Sequence, residues 1–288
     1  MVESPFMVGK RRWLTWPAKF VAELNSTSGL AGAGGAVLAV LAFGGLTAAS
    51  GPLAVVVGGL GILLTAGAAV ASGTKSFPPR LVNPTDIVGE DKAIGQLDSL
   101  EPRVFAVGIV GPSEAGKSTL ASQILHKPKP RGSHRTQGVH CYIAALQTAP
   151  VMYIAMIDGP GDKFAAQFEV VEHSHIVLVA LDHSDSGGVA TEAPRIAEHR
   201  RFQKQLRDYL VARSKTMEWV HLLMNKRDLW ERGPHQDLLD FLKVETDEWT
   251  KSNLSRRVTS AVHSNESAYD ITELLKDVAA FLESHKPK

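Results

Sequence analysis

The stretch "IVGPSEAGKSTLASQIL", residues 109–125, decides how the chain is read. The apolar run "RVFAVGIV" (103–110) enters it, and its β-branched and aromatic residues, ended by glycine and proline, predict a buried strand. The following "KSTLASQIL" (117–125) predicts a helix. Between them stands Gly111-x-x-x-x-Gly116-Lys117-Ser118, in the strand-to-helix setting that a phosphate-binding loop requires. In such a loop the backbone N–H groups and the helix N-terminus converge on phosphate oxygens. Lys117 adds a point charge, and Ser118 offers a hydroxyl to Mg²⁺. The candidate phosphate contacts are Ser113, Glu114, Ala115, Gly116, Lys117, Ser118 and Thr119. The competing reading is a glycine-bearing turn between a strand and a helix.

The 288 residues are 44% apolar and 21% charged, the composition of a folded domain with an appendage rather than of a disordered chain. The charges are unevenly spread. Residues 24–74 contain no Asp, Glu, Lys or Arg and hold 12 of the 25 glycines. Residues 80–288 carry 26 basic and 28 acidic side chains, so this part is near neutral and nucleic acid is not expected as a partner. A single cysteine, Cys141, excludes an internal disulfide.

The uncharged stretch divides at "ASGP" into Leu30–Ala49 and Pro52–Ser72, each about the length that spans a bilayer core. Lys10, Arg11, Arg12 and Lys19 flank it on one side and Lys75 and Arg80 on the other, while the turn has no charge. The expectation is a transmembrane helical hairpin with both ends cytoplasmic and its glycine-rich faces packed together. Trp13 and Trp16 among the basic residues suit a lipid headgroup interface. A soluble Gly/Ala-rich hairpin, an interfacial one and a cleaved signal peptide are the alternatives. The organisation expected is a basic and aromatic segment (1–28), the hairpin (29–73), a linker with an N-terminal extension (74–102) and an α/β domain (103–288).

In the linker, "GEDKAIGQLDSL" suggests one short helix, and "HKPKPRGSHRTQG" after the first helix is a loop by composition. The runs "VHCYIAAL", "VMYIAMID", "HIVLVALD", "EWVHLLMN" and "RRVTSAVHS" predict further strands. Helical periodicity marks "EAPRIAEHRRFQKQLRDYLVARS", "QDLLDFLKVETDEWTK" and "ITELLKDVAAFLES". Strands alternating with helices imply an α/β fold with a mainly parallel sheet covered by helices on both faces.

Residues 103–285 resemble a Ras-like GTPase of the P-loop class. The resemblance rests on "GPSEAGKS", Thr136 in the following loop, "DGPG" from Asp158 to Gly161, "NKRD" from Asn225 to Asp228, and "SA" at Ser260 and Ala261, in that order. It implies GTP and GDP with Mg²⁺ as cofactors, the metal being held by Ser118, Thr136 and Asp158. It also implies that Thr136 and Gly161 sense the γ-phosphate and that Asp228 accepts hydrogen bonds from guanine N1 and N2. Lys226 would then lie across the base, Asn225 would brace the loops, and the backbone at Ala261 would meet guanine O6. A site built from buried polar pairs rejects adenine, because the wrong base leaves them unpaired. The plainer reading of "NKRD" is a charged turn after a strand.

The chain departs from the family after "DGPG". Asp162 stands where Ras-like proteins carry glutamine and the translation-factor GTPases with a D-x-P-G motif carry histidine. A carboxylate accepts a hydrogen bond from water but cannot donate one to a γ-phosphate, and it adds negative charge there. Glu114 is similar to the residue in G-protein α-subunits, which supply an arginine from the switch loop. Arg135 and Arg131 are candidates for that role or are solvated loop residues. His173, His175 and His183 lack the company of metal ligands, and Arg200, Arg201, Lys204 and Arg207 form a basic helix face, solvated or facing a partner or lipid. The expectation is a membrane-tethered GTPase switch whose domain faces the cytoplasm, served by an effector or activating protein. The alternatives are a GTP-binding protein that does not hydrolyse and orders a membrane assembly or pore, and an ATPase, which "NKRD" disfavours.

Overall fold

The computed structural model describes residues 81–127, 138–185 and 187–285. The segment 1–28, the hairpin 29–73, Arg131, Arg135 and Thr136 lie outside the described residues. Among the described residues no helix is long and apolar enough to cross a membrane.

Two turns of 3₁₀ helix, Pro84–Ile87 and Ile94–Ser99, flank a two-residue strand β1 (Asp91–Lys92). Then β2 (Phe105–Val110) leads to α1 (Lys117–Ile124), and β3 (His140–Leu146) and β4 (Met152–Asp158) follow. The chain goes on through α2 (Phe164–His173), β5 (Ile176–Leu181), α3 (Ala193–Ala212) and β6 (Met217–Met224). It ends in the single turn α4 (Arg227–Trp230), α5 (Gln236–Ser252), β7 (Ser255–Val262) and α6 (Ala268–Ser284).

The strands form one sheet in the order β1-β3-β4-β2-β5-β6-β7. The pairs from β4 through β7 are parallel, whereas β3 runs antiparallel to both β1 and β4. The mainly parallel α/β sheet is thus present, with an antiparallel edge. The reason is the connection: "QTAPV" between β3 and β4 is too short for a crossover, which takes about a dozen residues or more, so the strands turn back on each other.

Side chains alternate between two apolar layers. Val177, Val179 and Leu181 of β5 pack with Val170 of α2, Leu206 of α3 and Phe241 of α5. Ile176 and Leu178 face the other way, with Leu120 of α1 and Phe281 of α6. Each buried aliphatic side chain contributes about 1.5–3 kcal/mol, so burial on both faces makes the parallel strands the rigid part of the fold. Their C-terminal ends open onto the loops that carry the sequence motifs. The expected linker helix is the 3₁₀ turn Ile94–Ser99, and β1 before it pairs with β3 through Asp91 opposite Tyr142. Helix α2 is not among the helices expected from periodicity; at ten residues, with Phe164 and Phe168 partly outward, its pattern is short and weak.

Candidate functional site

The loop between β2 and α1 turns back on itself. Gly116 has φ +89°, and a Cβ there would lie 2.3 Å from Asn225 Nδ2 and 2.7 Å from Asn265 Nδ2, so only glycine fits. Glu114 takes the left-handed region at φ +65° without being glycine. Lys117 opens α1 and is buried, with Nζ donating to the Pro112 carbonyl at 2.7 Å. Burial pushes its ammonium down to about 8; Arg195 adds to the fall, while Asp158, Asp182 and Asp162 oppose it. Ser118 follows on α1, and its Oγ donates to Asp158 Oδ2 at 2.8 Å. Thr119 is half-buried in the first turn.

Asp158 ends β4 beside this loop because β4 pairs in parallel with β2, setting Asp158 opposite Ile109. Its carboxylate is 5% exposed, and Oδ1 is a buried oxygen without a hydrogen-bond partner. Burial raises its pKa, against a hydrogen bond from Ser118 and the Lys117 charge. A hydroxyl beside a buried carboxylate with a vacant oxygen is a hard-oxygen donor set, which fits Mg²⁺ better than a softer metal. Gly161 closes over the loop: a Cβ on it would be 2.4 Å from Lys117 Nζ and 2.6 Å from Ser113 N. Asp162 next to it is exposed, and its charge is felt at Lys117.

Gln167, which the sequence reading passed over, holds this segment in place. It is fully buried on α2; Oε1 accepts from Gly111 N at 2.9 Å, and Nε2 donates to the carbonyls of Gly159 at 3.1 Å and Pro160 at 2.8 Å. The available signal was a glutamine on the same helical stripe as Val170 and Val171, where an apolar residue belongs.

The "NKRD" segment follows β6. Asn225 Nδ2 donates to the Ala115 carbonyl at 3.0 Å, and its Oδ1 accepts from Asn265 N at 3.2 Å. Lys226 is left-handed at φ +61°; its Nζ donates to the Ser184 carbonyl at 3.1 Å and lies 2.5 Å from Asp182 Oδ2. Asp228 is exposed and accepts a hydrogen bond from Ser264 Oγ. Arg227 adds a brace through Nη2 to Asp270 Oδ1 at 3.0 Å, while the other Asp270 oxygen accepts from Ser264 N at 2.8 Å.

Ser260 and Ala261 do not reach this segment. They sit inside β7, opposite Leu222 and Leu223 of β6, and the strand continues to Val262 opposite Met224. The loop begins only at His263, so Ser264 and Asn265 meet Asp228, Asn225 and Gly116 instead. The expected strand "RRVTSAVHS" already contained "SA", which was the available signal; the parallel register with β6 sets where β7 ends.

His175 Nδ1 accepts from Ala106 N at 3.0 Å and His183 Nε2 faces the Gly188 carbonyl at 2.5 Å, so both have backbone partners. Among the described residues no group of three His, Cys, Asp or Glu could hold a metal ion. Arg207 lies 3.3 Å from Glu245, Arg200 stands over the Phe241 ring and Lys204 pairs with Asp208, so α5 engages part of the basic helix face.

No family model and no curated protein matches the chain. Its coordinates are similar to those of a bacterial selenocysteine-specific elongation factor, EF-Sec, with TM-score 0.45 and 15% identity over 63% of this chain and 29% of that one. They are also similar to a structure of the mammalian SRP receptor, with TM-score 0.46 and 18% identity over 61% of this chain and 99% of that one. The chain therefore spans less than a third of the length of the elongation-factor structure.

Proposed function

We propose that the chain binds guanine nucleotides with Mg²⁺ and hydrolyses GTP to GDP as a membrane-tethered switch. One observation carries the reading: Ser118 Oγ donates to Asp158 Oδ2 at 2.8 Å beside the buried Lys117, in a loop that Asn225 of "NKRD" grips by the Ala115 carbonyl at 3.0 Å. On this reading the residues for phosphate and for base meet at one loop.

In this reading the N–H groups of residues 113–119 and the Lys117 ammonium cradle the phosphates. Ser118 directly and Asp158 through water would hold Mg²⁺, with Thr136 as the further ligand that the family resemblance implies; the metal would neutralise charge on the phosphate oxygens. Asp228, kept oriented by Ser264, accepts from guanine N1 and N2, and adenine cannot present those two donors together. Gly161 meets the loop where a terminal phosphate would stand, so triphosphate and diphosphate favour different positions of the 158–162 segment.

A second reading, binding without hydrolysis, draws on Asp162, which offers no donor to a terminal phosphate. The charge-free stretch 29–73 and its basic flanks support the tether and a cytoplasmic domain. An effector or activating protein is the partner class, since slow intrinsic hydrolysis calls for help. The test is displacement of a fluorescent GDP analogue from the full chain by GTP and ATP, followed by single-turnover hydrolysis. GTP should displace the analogue at far lower concentration than ATP, and equal competition would overturn the reading.

A further inference from the structure

Arg195 is the third residue of α3, and its side chain is 2% exposed. A guanidinium buried so deeply loses several kcal/mol of hydration unless its N–H groups find acceptors. It finds four. Nε donates to Asp182 Oδ1 at 2.5 Å, and Nη1 is 2.7 Å from Asp185 Oδ1 and 2.6 Å from Glu198 Oε2. Nη2 donates to the Ser113 carbonyl at 2.6 Å. The three carboxylates take Nε and Nη1, and Nη2 finds its acceptor on the backbone of the phosphate loop. Asp182 in turn lies 2.7 Å from His199 Nε2 and 2.5 Å from Lys226 Nζ. A row of polar groups thus runs from Ser113 through Arg195 and Asp182 to Lys226.

The Ser113 carbonyl belongs to the peptide that enters Glu114, the left-handed residue at φ +65°. Such a conformation costs a non-glycine residue on the order of 1–3 kcal/mol and persists only where neighbours hold it. The peptide is trans, since the cis bonds precede Pro102 and Pro150, and in a planar trans peptide the C=O and the next N–H point in opposite directions. With its carbonyl fixed on Arg195, the Glu114 N–H faces away from α3.

We propose that Arg195 is a positioning residue for the phosphate site: by holding the Ser113 carbonyl it fixes the peptide so that Glu114 presents an N–H, not a carbonyl oxygen, to the polyphosphate. The inference rests on the guanine-nucleotide reading of the loop. Without the guanidinium the peptide is free to flip, replacing a donor by an acceptor next to negative charge. The row through Asp182 also links the setting of this donor to Lys226 in the base-reading segment.

The test compares GMP with GDP on the full chain in detergent micelles, by displacement of a fluorescent GDP analogue, for wild type, Arg195→Gln and Arg195→Lys. The ratio of the GMP Kd to the GDP Kd reports the phosphate contribution. It should fall at least tenfold in Arg195→Gln and less in Arg195→Lys, which keeps one cationic donor but cannot span both Asp182 and Ser113. A purely structural role would weaken GMP and GDP alike and leave the ratio unchanged, and that result overturns the proposal. If Arg195→Gln fails to fold by circular dichroism, Arg195→Lys is judged by the same ratio, a clear fall supporting the proposal and an unchanged ratio overturning it. A wild-type chain that binds no guanine nucleotide overturns the reading of the site and the inference with it, whereas wild-type binding with an unchanged ratio in the variants overturns the inference alone.

Discussion

Asn265 donates through Nδ2 to the Gly116 carbonyl at 2.9 Å, a contact between residues 149 positions apart. It ties the loop after β7 to the start of α1, and its backbone N–H binds Asn225 Oδ1 at 3.2 Å, so one residue joins the phosphate loop, "NKRD" and the last loop. Asn265→Ala removes the side-chain bridge and leaves the Gly116 carbonyl with only its helical bond from Leu120 N at 2.9 Å. We expect GDP affinity to fall about 2- to 12-fold, the equivalent of about 0.5–1.5 kcal/mol for the net loss of one hydrogen bond. Isothermal titration of the full chain measures it, and an unchanged Kd would show that the bridge does not shape the site.

In the proposed reading, base selectivity turns on Asp228. Asp228→Asn should shift preference from guanine toward xanthine nucleotides, whose added oxygen needs a donor where guanine supplies one. Ser264→Ala should weaken guanine binding several-fold, because Ser264 Oγ orients that carboxylate. Ser260→Ala, inside β7, should leave binding unchanged; the reverse ranking of the two serines would contradict the placement described above.

The proposed hydrolysis can be probed at Asp162 of the "DGPGD" segment. If its carboxylate positions water poorly, Asp162→Gln should raise the single-turnover rate or leave it unchanged. Arg135→Ala should slow hydrolysis more than tenfold, about 1.4 kcal/mol, with little change in GTP affinity, if that arginine acts in cis, and Arg131→Ala is the matched comparison. A large drop with Asp162→Gln would mean that Asp162 itself takes part in the chemistry.

The proposed tether predicts retention of the full chain in membranes through an alkaline carbonate wash. Val40→Arg combined with Val56→Arg should release it, at about 2.5–3.5 kcal/mol for each charge near a helix centre. Wild-type protein that washes off freely would point to an interfacial or soluble hairpin.

Stability should fall on mild acidification through buried histidines. His221 is 3% exposed, with Nδ1 2.7 Å from Thr259 Oγ1, which also accepts from Trp219 Nε1 at 2.7 Å. Burial pushes its pKa down to about 4, from the ordinary imidazole value near 6.5. The folded state keeps the ring neutral while the unfolded chain protonates below 6.5, so the contribution is complete above pH 6.5 and is lost as pH falls toward 4. The loss from this group is on the order of 3 kcal/mol. Burial lowers His199 and His263 in the same direction, so His221→Gln should flatten but not abolish the slope of unfolding free energy between pH 6.5 and 4. An unaltered slope in urea titrations would remove His221 as the cause.

Some of this protein is written locally. The strand "FAVGIV", the glycines of the phosphate loop, "DGPG" and "NKRD" are legible because each needs particular residues at fixed short spacings, for a left-handed turn, a close approach or a buried strand. Tertiary structure decided the rest, because it depends on pairing between distant segments. Parallel register with β6 carries β7 to Val262, which makes Ser264 rather than Ser260 the partner of Asp228. The short β3–β4 turn sets the antiparallel edge. Gln167 lies in a helix that periodicity did not mark, and Arg195 looks in sequence like one more charge on a polar helix. Only the packing of α2 and α3 against the sheet buries them, and a buried amide or guanidinium must then find acceptors, which for these two lie at and around the phosphate loop.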